Sequence, residues 1–233
     1  MVDYRYIDFN STHKSTKVTA ILLMSLDVFI IVDGARVRAR PSAKLGEDYA
    51  KPVVLLFHGF SFSLDVWADT GILQLLSDRG YSYLAMDLPK GNASRSDKFG
   101  RKNFSDYILF LNKALSHFLD LEKAKFVLLG ASMGGGFALA LALENQKRIS
   151  GMVLIAPSIK GISEESLGEL DVPTLLIWGE RDTIFPVDEY GNRLKEIMPR
   201  SKLLIIKGAR HAAYLDKPQE FHELLVDFLD EIS

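Results

Sequence analysis

Six short runs of apolar residues recur along the chain, and none of them has a polar face: Pro52 to His58 around VVLLF, Ser82 to Asp87 (SYLAMD), Lys125 to Gly130 (KFVLLG), Gly151 to Ala156 (GMVLIA), Thr174 to Gly179 (TLLIWG) and Lys202 to Lys207 (KLLIIK). A strand with one wet face alternates polar and apolar residues, so a short run that does not alternate must be covered on both sides. Between the runs, Phe104, Ile108, Leu111, Leu115 and Phe118 recur at helical spacing, as do Phe221, Leu224, Leu225, Phe228 and Leu229 after Pro218. These stripes predict core-facing helices. Strands alternating with helices need right-handed crossovers, so the expected fold class is α/β, with a mostly parallel central sheet and helices on both faces. Ahead of it, β-branched Val28 to Val32, the turn signal Asp33-Gly34 and the alternating Ala35 to Arg40 predict an N-terminal antiparallel hairpin.

No internal repeat, low-complexity tract or linker interrupts this rhythm, which predicts a single domain over 18–233 and a polar extension over 1–17. The apolar run Val18 to Met24 follows Lys14 and Lys17 like a leader, but Asp3 and Asp8 weaken the basic flank and no small-residue cleavage site follows. Met24 is an alternative start. Ser25 and Asp27 break the longer stretch Val18 to Val32 well short of the roughly 20 apolar residues of a membrane span.

Composition narrows the function classes. A net charge of −2 provides no basic field, so neither nucleic acid nor an anionic membrane is the expected partner; a small molecule is. The absence of cysteine removes disulfides, thiolate metal sites and a cysteine nucleophile together, and fits a cytoplasmic location.

In a parallel sheet flanked by helices, working residues lie beyond the carboxyl ends of the strands. Gly130-Ala131-Ser132-Met133-Gly134 sits at such an end, between FVLLG and the helical GGFALALALEN. A G-x-S-x-G sequence at a strand-to-helix junction is the pattern of a nucleophile elbow, in which small neighbours let a strained serine project toward substrate. A glycine-rich helix start that merely packs closely on the sheet is the bland alternative. A serine hydroxyl needs a base to take its proton. Of the five histidines, His117 and His222 fall on amphipathic stripes, His13 in the polar extension and His58 at the end of the first buried run. His211 alone follows a late strand and precedes a loop. Asp182, after TLLIWG, is the expected carboxylate partner, with Glu180 and Asp188 as rivals. The chain order serine, aspartate, histidine matches the elbow pattern.

An oxyanion hole in this arrangement takes one backbone N–H from the residue after the nucleophile, Met133, and one from the loop after an early strand, where His58-Gly59-Phe60-Ser61 offers Phe60. His58 itself reads as a buried, hydrogen-bonded structural imidazole. Phe62, Trp67 and Met133 are candidate apolar walls and Ser158 a further substrate-contact candidate; each also suits ordinary packing.

Together these motifs resemble the α/β-hydrolase superfamily from about Val53 to Phe228. HGFSFSLDVW, GYSYLAMDLPKG and GARHAAYLDKPQEFHELLVDFL resemble in particular its compact, nearly lidless interacting-factor-B-like group. The resemblance implies an enzyme active on small acyl substrates, with the triad roles on Ser132, Asp182 and His211. Two departures stand out. LPKGNASRS replaces the proline-glycine-x-glycine-x-serine sequence of many relatives, and the elbow keeps a first glycine that the interacting-factor-B group replaces. Only Ile159 to Asp171 separates Ser158 from Val172, room for a loop and one short helix, so a minimal lid and an open pocket suited to short acyl groups are expected.

The expected function is therefore a carboxylesterase-like serine hydrolase with no metal or organic cofactor. Transfer of the acyl group to a thiol or alcohol uses the same residues. A catalytically silent binding or scaffold protein on the same fold is the alternative from another class.

Overall fold

All six apolar runs become strands of one sheet. The computed structural model describes residues 27–97 and 104–232. The 1–17 extension and the run Val18 to Met24 lie outside the described residues. Among those described, eight strands form a sheet in the order β1-β2-β4-β3-β5-β6-β7-β8. They are β1 (Val28–Val32), β2 (Ala35–Pro41), β3 (Val53–Phe57), β4 (Tyr83–Met86), β5 (Phe126–Ala131), β6 (Ile149–Ile155), β7 (Thr174–Gly179) and β8 (Ser201–Ile206). The hairpin β1-β2 is antiparallel and joins β4 antiparallel; from β4 through β8 every pairing is parallel.

Every residue of β3, β4, β5 and β7 is buried, which is why those runs carry no polar alternation. Helices α1 (Asp65–Asp69), α2 (Ile72–Asp78), α7 (Ala213–Asp216) and α8 (Pro218–Glu231) pack apolar residues on one face of the sheet. On the other lie α3 (Phe104–Ser116), α4 (Met133–Glu144), α5 (Glu164–Gly168) and α6 (Asn192–Ile197). The α8 stripe is core as expected, with Phe221, Leu225, Phe228 and Leu229 buried and Leu224 packed against them. In α3 the stripe holds for Ile108, Leu111 and Leu115, but the helix stops at Ser116, so Phe118 packs on the core from the turn that follows. Ile159 to Asp171 holds only the five-residue α5, the minimal lid that its length predicts. No helix among the described residues is long and apolar enough to cross a membrane.

The alternation of β2 conceals a buried ion network. Arg38 is 1% exposed and its guanidinium binds both Asp65 oxygens, at 2.8 and 2.6 Å, and Asp27 at 2.7 Å. Arg40 joins the same two carboxylates, each at 2.7 Å. Burial alone would lower the Arg38 pKa, but the bonds to Asp65 and Asp27 outweigh it and hold the charge firmly in place. The Asp65 carboxyl is correspondingly held far below the ordinary carboxylate range, first by its hydrogen bonds to Arg38. This network ties the hairpin to the first turn of α1, which follows directly on the loop leaving β3.

Candidate active site

Ser132 is the single residue between β5 and α4, with φ +50° and ψ −114°. A side chain adopts that backbone only when its surroundings over-determine it. They do so here. Ser132 N–H donates to Ile155 O at 2.9 Å, and its carbonyl accepts from Ser158 N at 2.8 Å and Gly135 N at 3.0 Å. Gly134 packs so tightly on the end of β3 that an added Cβ would fall on the Phe57 carbonyl. The turn therefore cannot relax outward.

Gly59 lies beside this serine: a Cβ placed on it would sit 3.7 Å from Ser132 Cβ. The next residue, Phe60, is 57% exposed; its carbonyl accepts from Asn92 N at 2.6 Å, while no backbone acceptor among the described residues takes its N–H. Met133 opens α4, so its N–H has no intrahelical acceptor, and the positive end of that helix lies under the serine. The two residues expected to hold an oxyanion thus lie one on the loop leaving β3, next to Gly59, and one at the start of α4.

His58 behaves as its sequence context suggests. Fully buried, it accepts the Leu88 N–H on Nε2 at 2.8 Å and donates from Nδ1 to Gly59 O at 2.8 Å. An N–H can only donate, so Nε2 is unprotonated and the ring neutral. Burial, above all, depresses its pKa. A proton on His58 is therefore favoured in the unfolded chain, where the pKa is about 6.5. Stability is full above that value and falls as pH drops from about 6.5 toward the depressed folded pKa. Urea midpoints measured from pH 7 to pH 5 should decline in the parent and decline less in His58→Gln; parallel curves would refute the depressed pKa.

Asp182 and His211 come together from the ends of β7 and β8. His211 Nδ1 is 2.6 Å from Asp182 Oδ2, and Asp182 is 5% exposed. The other oxygen, Oδ1, accepts from Ile184 N and Phe185 N, each at 2.9 Å, so both lone pairs of that oxygen are used. Of the rivals, Glu180 caps Gly208 N at 2.8 Å and Asp188 lies exposed in the π-helical turn Val187–Gly191; among the described residues neither meets an imidazole. Sequence reasoning missed what steers His211. Gly179 closes β7, and a Cβ there would sit 2.5 Å from both Ala209 O and Arg210 O. Its bare backbone lets the segment after β8 pass close over the end of β7, and a glycine at a strand end was the only available signal. Ser132 Oγ and His211 Nε2 make no hydrogen bond to each other among the described residues. Such bonds commonly tighten only with substrate present.

The candidate walls divide. Phe62 folds over Gly59, its ring 3.6 Å from the Cβ position there, and Ser158 touches Ser132 through the backbone. Met133 is half-buried beside the elbow. Trp67 corrects the expectation: it is fully buried and stacks on Tyr214, with ring centroids 5.2 Å apart, because it shares the inward face of α1 with Leu64. It is core, not pocket wall. Phe60 and Ile184, the latter 62% accessible in the loop after Asp182, are exposed large apolar residues on the loops that follow β3 and β7.

A family model described as the alpha/beta hydrolase fold matches residues 52–166 and 163–218. The chain belongs to the α/β-hydrolase family. Within that family it is similar to ABHD14A of Danio rerio, 35% identical over 181 residues, or 77% of this chain; the match spans 65% of the relative, just under two thirds of its length. Human ABHD14B, whose name provisionally assigns it protein-lysine deacylase activity, is 30% identical over 193 residues, covering 81% of this chain and 88% of the relative. A CIB-like hydrolase from Thermoplasma acidophilum superposes with a TM-score of 0.77 at 29% identity, over 88% of this chain and 97% of the other. The likeness to a compact, CIB-like hydrolase of this family therefore holds.

Proposed function

We propose that this hydrolase is a serine hydrolase that cleaves small esters or related acyl compounds through an acyl-enzyme on Ser132. In this reading Ser132 Oγ attacks the carbonyl carbon and His211 Nε2 takes its proton. The Phe60 and Met133 N–H groups stabilise the oxyanion. The tetrahedral species collapses as His211 returns the proton to the leaving oxygen, and water then enters by the reverse proton path to release the acid. Asp182 keeps Nδ1 protonated and stabilises the imidazolium. The observation that carries the reading is the 2.6 Å contact between His211 Nδ1 and a buried carboxylate whose second oxygen is already saturated. That arrangement leaves Nε2 as the free base of the ring.

The short α5 and the exposed Phe60 and Ile184 favour an open site for short acyl groups or for an acyl group presented on a larger surface. The protein-lysine deacylase name of ABHD14B lies within the same acyl chemistry. Transfer to a thiol or alcohol differs only in what attacks the acyl-enzyme, and product analysis with competing acceptors separates the two. A fluorophosphonate probe should label the folded protein at Ser132, read by peptide mass mapping. Labelling at another residue, or none, ends the proposal.

A further inference from the structure

Phe185 touches both partners of the base. Its N–H donates to Asp182 Oδ1 at 2.9 Å, the oxygen opposite the one that meets His211. Its ring meets the His211 imidazole with centroids 5.5 Å apart and planes at 62°. Phe185 is itself held from two further sides. Its carbonyl accepts the indole N–H of fully buried Trp178 at 2.7 Å, and its ring packs on Tyr190 at 5.2 Å and 75°. Tyr190 reaches it because the π-helical turn Val187–Gly191 folds straight back after Pro186.

A single hydrogen bond at Nδ1 fixes how far the imidazole stands from the carboxylate, not how it tilts. The terminal torsion of histidine is broad, so Nε2 can swing about that bond unless something packs on the ring. A tilted aromatic contact supplies a preferred angle as well as contact area. Small misplacements of a reacting group are costly in rate.

Resting on the serine-hydrolase reading above, we propose that Phe185 is a positioning residue: its ring sets the tilt of the His211 imidazole so that Nε2 aims at the Ser132 hydroxyl, with Trp178 and Tyr190 holding Phe185 in place. The residue touches no substrate; it acts through His211. Its effect therefore belongs in the rate of the chemical step and should vanish when the imidazole is gone.

The test uses the rate at which a fluorophosphonate probe labels Ser132 in the full chain, resolved into its value at saturating probe and its half-saturation concentration. Phe185→Leu and Phe185→Met both fill the space without a ring, and thermal melts establish which of them is folded. Either should label about tenfold more slowly at saturation with half-saturation unchanged, and Phe185→Tyr should recover to within about twofold. In a His211→Ala background, Phe185→Leu should add no further loss. The inference is overturned by parental rates in the folded variants, by a loss confined to half-saturation, or by an equal loss without His211. A parent chain that is not labelled at Ser132 overturns the serine-hydrolase reading and this inference together. A labelled parent with indifferent Phe185 variants overturns this inference alone.

Discussion

Ser132→Ala should lose about 10³-fold or more in turnover of p-nitrophenyl acetate while keeping its fold. Without the hydroxyl no acyl-enzyme can form, and water would have to attack directly with His211 as its base. The Phe60 and Met133 N–H groups would still be present, so the residual rate should remain above that of the uncatalysed ester. Alanine keeps the Cβ and with it the backbone strain at φ +50°, so the melting temperature should stay close to that of the parent. Ser132→Gly removes that Cβ and should be equally inactive yet more stable by about 1 kcal/mol. Opposite movements of activity and stability at one residue mark strain retained for function. Turnover in Ser132→Ala within tenfold of the parent would remove the serine from the mechanism, and would favour a scaffold role if the parent were equally slow.

Periodicity made the sheet legible because it reports burial, and burial is what the parallel strands have in common. Val28–Val32 and Thr174–Gly179 form with the boundaries that the sequence predicts. β6 begins two residues earlier than expected, at Ile149, where a register shift lets Phe126 pair with it. A register shift is decided between strands and leaves no mark within one run. The same distinction separates the parts of the site. Ser132, Asp182 and His211 stand out as candidates in the sequence because each follows its own strand and their chain order is distinctive. Trp67 could not be placed, since an aromatic near a functional loop serves core and pocket alike; only its i, i+3 relation to Leu64 hinted at the core. Arg38 was hidden by the alternation of β2, because the carboxylates that bury it come from 11 and 27 residues away. Phe185 gave no signal at all, as its role depends on two ring angles and one shared carboxylate.

Gly134→Ala should cost the fold itself. The added Cβ would land on the Phe57 carbonyl and lie 2.7 Å from that of His58, and neither group can retreat. Phe57 ends a fully buried strand paired on both sides, to Met86 and to Gly130, and His58 is fixed to Leu88 and Gly59 by both ring nitrogens. Relief would require α4 to lift off β3, which is opposed by the tight seating of Gly135 on Pro157 and of Gly136 on the Ser158 carbonyl. Overpacking a core ordinarily costs 1–3 kcal/mol, and a clash between backbones on both sides belongs above that range. We expect a loss of more than about 3 kcal/mol in urea unfolding, a large share of the stability of a typical domain. Gly161→Ala is the control, with φ +85° and nothing within 4 Å of the new Cβ; it should lose only about 1 kcal/mol, from backbone strain. If the two variants proved equally stable, the close approach of α4 to β3 would be wrong, and the strained serine would lose the contact that keeps it turned outward.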